Sequence, residues 1–114
     1  MLLLFAGPNA PPCNVQVHKR GSASILALWS NVPAANENGV ILSYTVTYKV
    51  LSDGSPQTKV VNVPTTQVTL TDLNEYTNYS ITVFASTVKG DGNVSVPVFV
   101  ITDEDSRLSV FLFS

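Results

Sequence analysis

An all-β sandwich of seven strands in two packed sheets is the fold this sequence predicts, and three observations predict it. Valine occurs 17 times and threonine 11 times, a bias towards β-branched side chains, which pack well on a pleated surface. Seven alternating or wholly apolar runs recur along the chain, separated by clusters of Gly, Pro, Asn and Asp at the spacing of a sandwich. No long helical period and no internal repeat is present, so a solenoid or propeller is excluded for this chain. At 114 residues the chain has the length of one domain with a single core.

The runs are expected at residues 14–19, 23–30, 41–50, 57–63, 67–71, 78–87 and 95–102. In the second, Ile25, Ala27 and Trp29 form an inward series, and Trp29, the single tryptophan, is the expected centre of the core. Leu26 and Leu28 fall on the opposite face. The third alternates most clearly in "YTVTYKV": Tyr44, Val46 and Tyr48 point to the core, while Thr45, Thr47 and Lys49 point to solvent. The sixth repeats the pattern, with Tyr79, Ile81, Val83 and Ala85 inward and Ser80, Thr82, Phe84 and Ser86 outward. Turn chemistry fills the gaps, as in "NENG" at 36–39 and "SDGSP" at 52–56, which offer positive-φ positions and preset prolines.

Composition removes several function classes. Charged residues are 12% of the chain and the net charge is -2, so six scattered Lys and Arg cannot form the basic stripe that nucleic acid requires. Cys13 is the only cysteine, which excludes an intrachain disulfide and a thiolate metal cluster; it reads as a small apolar residue. His18 is the only histidine and has no arranged nucleophile or carboxylate beside it, so no catalytic residue is assigned. The carboxylates of "TDEDS" at 102–106 read as a charged linker, because calcium wants six or more oxygens and would need outside help. No cofactor or metal is expected. "MLLLFAG" makes a poor secretory leader and "RLSVFLFS" is too short to span a bilayer, so both ends read as cuts through a longer chain or gene-model scars; a membrane is reached only through a parent chain.

The segments "APPCNVQV", "ILALW", "NGVILSYTVTYKV" and "LTDLNEYTNYSITVFAST" together resemble a fibronectin type III domain, an immunoglobulin-like Greek-key sandwich. The resemblance covers residues 10–103, leaving 1–9 as an N-terminal tail outside the fold and 104–114 as a C-terminal tail or truncated linker. It implies that "LNEYTNY" is a tyrosine corner, with the Tyr79 hydroxyl bonded to backbone near Leu73, and that Glu75, where many members carry proline, loosens that corner. It further implies a non-catalytic module for protein recognition or spacing in an extracellular or cell-surface protein, of the kind found in adhesion receptors and receptor tyrosine phosphatases. Its partner would then be another protein or the neighbouring domains of the longer chain.

Three surface features are candidate sites. Lys89-Gly90-Asp91, in the loop between the last two strands, looks like the basic-glycine-aspartate tripeptides that integrins hold. Turn chemistry accounts for it more simply, with Gly90 and Gly92 both expected at φ > 0 and Asp favoured between them. Two sequons, Asn78-Tyr79-Ser80 and Asn93-Val94-Ser95, are candidate N-glycosylation sites, and a glycan on Asn93 would shade Asp91. Outward-facing Phe84 is expected to lie close to Phe99 or Ile101 on the adjacent strand as a candidate interface, with ordinary surface scatter or a different strand register as the alternatives.

Overall fold

The computed structural model describes residues 7–34, 37–52 and 54–104. They form eight strands: β1 (Cys13–Lys19), β2 (Ile25–Ser30), β3 (Ser43–Val50), β4 (Gln57–Asn62), β5 (Gln67–Leu70), β6 (Asn78–Thr87), β7 (Gly90–Asp91) and β8 (Val98–Ile101). One sheet is ordered β1-β2-β5 and the other β4-β3-β6, with β7 and β8 both pairing to β6. Every pairing is antiparallel. The seven expected strands are present, and the two-residue β7 is an addition.

Alternation builds the core because successive side chains leave a strand on opposite faces. Ile25, Ala27 and Trp29 of β2 and Leu70 of β5 face Tyr44 and Val46 of β3 and Tyr79, Ile81, Val83 and Ala85 of β6, all buried. Trp29 and Tyr44 meet between the sheets with ring centroids 5.5 Å apart and planes at 60°, the tilted geometry that aromatic quadrupoles prefer. Tyr48 and Leu73 are half-buried against this cluster. Trp29 Nε1 is enclosed and has no hydrogen-bond partner among the described residues.

The last expected strand, 95–102, is cut back at its start. Pro97 has no N–H to give a ladder, and residues 92–97 lie outside any strand. Ser95 still holds this segment to β6: its N–H donates to Val83 O at 2.9 Å, and its hydroxyl accepts from Val83 N–H at 2.9 Å. A side-chain oxygen thus takes the place of a backbone carbonyl. β4 is an exposed edge strand, bracketed by Pro56 and Pro64 and carrying Lys59, features that blunt an open sheet edge.

The tyrosine corner is formed. Tyr79 Oη accepts from the Asn74 N–H at 2.7 Å, one residue along from Leu73. Glu75 does not leave the corner without support: the Thr77 hydroxyl donates to Glu75 O at 2.7 Å, and the buried Thr102 hydroxyl donates to Asn74 O at 2.7 Å and accepts from Thr77 N–H at 3.0 Å. Side-chain hydroxyls thus satisfy the backbone of this loop.

Tyr79→Phe is expected to lower unfolding stability by about 1–2 kcal/mol, the cost of leaving the Asn74 amide unpaired, with an unchanged denaturant slope. Tyr76→Phe, at a ring 69% exposed, is the control and should stay within about 0.5 kcal/mol. Urea unfolding of the two variants checks this. Burial, and secondarily the charge of Glu37, hold the Tyr44 phenol above the usual tyrosine range. Because the folded value is the higher one, Tyr44's contribution to stability is full below about pH 10 and is lost as pH rises through the folded value. A spectrophotometric titration should therefore contain a late-ionising component that Tyr44→Phe removes.

Candidate functional site

The loop carrying Lys89 and Asp91 is a tight hairpin. Thr87 pairs with Gly90 and Ser86 with Asp91, so Val88 and Lys89 alone form the tip. Gly90, at φ 145, supplies the backbone conformation that lets the chain reverse. The Lys89 N–H donates to the Thr87 hydroxyl oxygen at 3.1 Å, and Val88 is 86% exposed. Asp91 lies past the tip, in the ladder, and its carboxylate accepts a hydrogen bond from the Ser86 hydroxyl at 2.8 Å. The tripeptide is therefore divided: lysine at the apex, aspartate on the flank and already engaged.

Gly92 departs from expectation. Its φ is not in the positive region; only Gly90 of the pair is. What Gly92 supplies is the absence of a side chain, because a Cβ there would lie 2.7 Å from Pro8 O and 2.8 Å from Pro8 Cβ. Gly7 is in the same position from the other side, since a Cβ on it would come within 2.6 Å of the Asp91 carbonyl carbon. Gly7 and Pro8, placed by the sequence reading in the N-terminal tail, are buried against the hairpin. Polar contacts complete the strap: Asn38 Nδ2 donates to Gly7 O at 3.1 Å, the Asn93 N–H to Pro8 O at 3.3 Å, and Asn93 Nδ2 to Asn9 O at 3.1 Å. The spacing of glycines around residue 90 was visible in sequence; the partner segment, over 80 positions away, was not.

The chain's exit is tied in a comparable way. The Thr102 N–H donates to Thr77 O at 3.1 Å, the Tyr76 N–H to Asp103 O at 3.0 Å, and the Asp103 N–H to Gly21 O at 3.0 Å. The Asp103 carboxylate accepts from Lys19 Nζ at 2.8 Å, and that hydrogen bond, with the attraction of opposite charges, raises the lysine above its usual range. Asp105 and Ser106 of "TDEDS" lie outside the described residues. His18 is exposed on β1, an edge strand. Among the described residues no three His, Cys, Asp or Glu side chains come together in a way that could hold a metal ion.

The outward apolar residues do not meet as expected. Phe84 stands opposite Thr45, which stands opposite Val60 on the other side. Phe99 stands opposite Ser80, and Ile101 opposite Asn78. Phe84 and Phe99 are thus separated by four residues along β6, about 13 Å at strand rise. The register of the last strand decides this, and a short apolar run does not reveal register. Phe99 and Ile101 remain exposed, at 58% and 49%, and Ile101 lines an open groove of ≈ 680 Å³ between edge strands β1 and β8 together with Val17 and Val100. The hairpin tip and this sheet face are among the surfaces exposed to a partner, together with Val40, Val60 and Val96 elsewhere.

Comparison with known proteins gives a consistent family. A family model described as "Fibronectin type III domain" matches residues 10–101. Protein sidekick-1 of Gallus gallus is 40% identical over 100 residues, and cell adhesion molecule Dscam2 of Drosophila melanogaster is 37% identical over 102; each alignment covers 86% of this chain and 5% of that protein. Receptor-type tyrosine-protein phosphatase F of Bos taurus is 35% identical over 100 residues, 83% of this chain and 5% of that protein. The chain thus spans about one-twentieth of the length of these relatives. The crystal structure of the chicken CNTN1 FN1-FN3 domains superposes with a TM-score of 0.79 at 25% identity, covering 87% of this chain and 33% of that one.

Gly92→Ala is expected to destabilise the domain by about 1–3 kcal/mol, because backbone, rather than a movable side-chain tip, stands where the new methyl must go. Asp91→Ala, which loses one exposed hydrogen bond, should cost no more than about 1 kcal/mol. Thermal unfolding of both variants separates the steric role of this hairpin from its surface chemistry.

Proposed function

This chain belongs to the fibronectin type III family, and from that premise we propose that it is a non-catalytic module for protein recognition or spacing within a longer, multidomain chain. Its relatives are cell adhesion molecules and a receptor-type phosphatase, which puts the domain on the extracellular or cell-surface side. The single observation that carries the proposal is the proportion of the match: nearly all of this chain aligns with one-twentieth of each relative. A unit of that kind contributes a folded body with two free sheet faces and its loops, and its partners are other proteins or the domains on either side.

A second reading, an integrin-ligand domain using Lys89 and Asp91, starts from the tripeptide itself. The hairpin geometry weighs against it. A receptor-held cation would need the Asp91 carboxylate, which lies beside the ladder rather than at the tip and would first have to leave Ser86. A third reading, the ectodomain piece of a receptor tyrosine phosphatase, takes support from the likeness to phosphatase F, although the Dscam2 and DSCAM relatives, cell adhesion molecules at 37% and 40% identity, favour an adhesion protein to the same or greater degree.

The deciding experiment is attachment of integrin-bearing cells to the immobilised domain, with and without a divalent-cation chelator, for wild type and Asp91→Ala. Attachment that is absent, or indifferent to both chelator and Asp91, is the expected result. Cation-dependent attachment lost in the variant would overturn the spacer reading and make the hairpin an adhesive ligand.

A further inference from the structure

We propose that Asn93, and not Asn78, carries an N-linked glycan in the folded, secreted domain. The inference rests on the extracellular reading above. Both residues open an Asn-x-Ser sequon without proline in the middle, so sequence alone does not rank them. Their surroundings do.

Asn93 is exposed, in the strand-free segment that follows the hairpin. Its Nδ2 donates to Asn9 O at 3.1 Å in an exposed contact. A glycosylated amide keeps one N–H, so that hydrogen bond is compatible with a sugar on the same nitrogen. The rest of the sequon is already committed elsewhere, since the Ser95 hydroxyl is buried and accepts from the Val83 N–H. Transfer, which needs that hydroxyl free, must therefore precede closure of the Val83–Ser95 contact. Folding then buries the serine and leaves the asparagine nitrogen outside.

Asn78 meets the opposite fate. It begins β6, the strand held between β3 and β8, with Ile101 directly across and buried Tyr79 and Ser80 following it. Its Oδ1 is enclosed and without a hydrogen-bond partner among the described residues. A sugar on the same planar amide would have to disturb the packing that encloses that oxygen. Chains modified there are at a disadvantage in folding, and the secreted pool is depleted of them.

The transfer balances simply. The Asn93 amide nitrogen forms a bond to the anomeric carbon of a lipid-pyrophosphate-linked oligosaccharide. That carbon's bond to the pyrophosphate oxygen breaks, the lipid pyrophosphate leaves with the electron pair, and one amide proton is released. The product sets a large, hydrated group two residues from Asp91 and beside the Pro8–Asn9 strap. It covers the hairpin end of the sandwich and leaves the sheet faces for a partner.

The test is secretion of the chain from mammalian cells behind a cleavable leader, followed by peptide-N-glycosidase, which removes the glycan and leaves an aspartate in place of the modified asparagine. Wild type and Asn78→Gln are expected to shift to faster gel migration on treatment, Asn93→Gln to show no shift, and mass mapping of wild type to find the new aspartate at position 93. An unshifted wild type, or a shift that persists in Asn93→Gln, overturns the proposal. If Asn93→Gln is not secreted, mapping of wild type decides alone: aspartate at 93 supports the site, and aspartate at 78 or at neither position overturns it. Because the leader supplies the secretory route, a failure here rejects the site without touching the extracellular reading on which it rests.

Discussion

The contact between Trp29 and Tyr44 is the constraint on which the rest of the molecule depends. One ring stands on β2 and the other on β3, in different sheets, with centroids 5.5 Å apart. Neither sheet can bury its apolar face alone. These two large flat side chains bridge the sheets, with Tyr79 also buried in the core, and smaller residues such as Ala27, Val46 and Ala85 fill in around them. Tyr44 also sends its hydroxyl out of the core to donate to Asn31 Oδ1, so an aromatic body is buried while its polar tip remains satisfied. Burial of side chains of this size contributes roughly 1.5–3 kcal/mol each, and the sum must exceed the entropy lost in ordering the strands.

Strand alternation then determines what is left for function. Every inward residue of β3 and β6 forces its neighbour outward, so Thr45, Thr47, Thr82 and Phe84 form the outer face because Tyr44, Val46, Ile81 and Val83 form the inner one. That face carries little charge: Lys49 alone stands among the outward residues of β3. Surface chemistry is concentrated instead at the two ends of the sandwich, where the chain enters and leaves. At the entry, Gly7 to Asn9 lie against the hairpin backbone; at the exit, Thr102 and Asp103 are bonded to the tyrosine-corner loop and to β1. Both segments are therefore fixed relative to the core.

Much of this was legible beforehand. The faces of β2, β3 and β6 followed from alternation, because a period of two survives whatever the neighbouring strand does. The tyrosine corner followed from "LNEYTNY". The start of the last strand was legible only in part: Pro97 in "NVSVPV" marks a break in the ladder, but that Ser95 uses its hydroxyl as well as its backbone against Val83 is not written there. The expected closeness of Phe84 to Phe99 was overturned on the same strand: four residues of register separate the two side chains. Gly92 was read as a turn glycine and is instead a contact glycine, a difference that only its neighbour Pro8 reveals.

What the sequence by itself determined is the class of fold, the inward series around Trp29 and the family, because each is written in local periodicity and in residues close together in the chain. What only the tertiary structure decided is the state of the candidate sites. Asp91 is held by Ser86 and backed by Gly7, Asn93 stands open while Asn78 is half enclosed, and the backbone carbonyls of Glu75 and Asn74 accept from the hydroxyls of Thr77 and Thr102. The reason is physical: exposure and hydrogen bonding of a side chain depend on whatever the fold brings to it from far along the chain, and neither periodicity nor a motif carries that information.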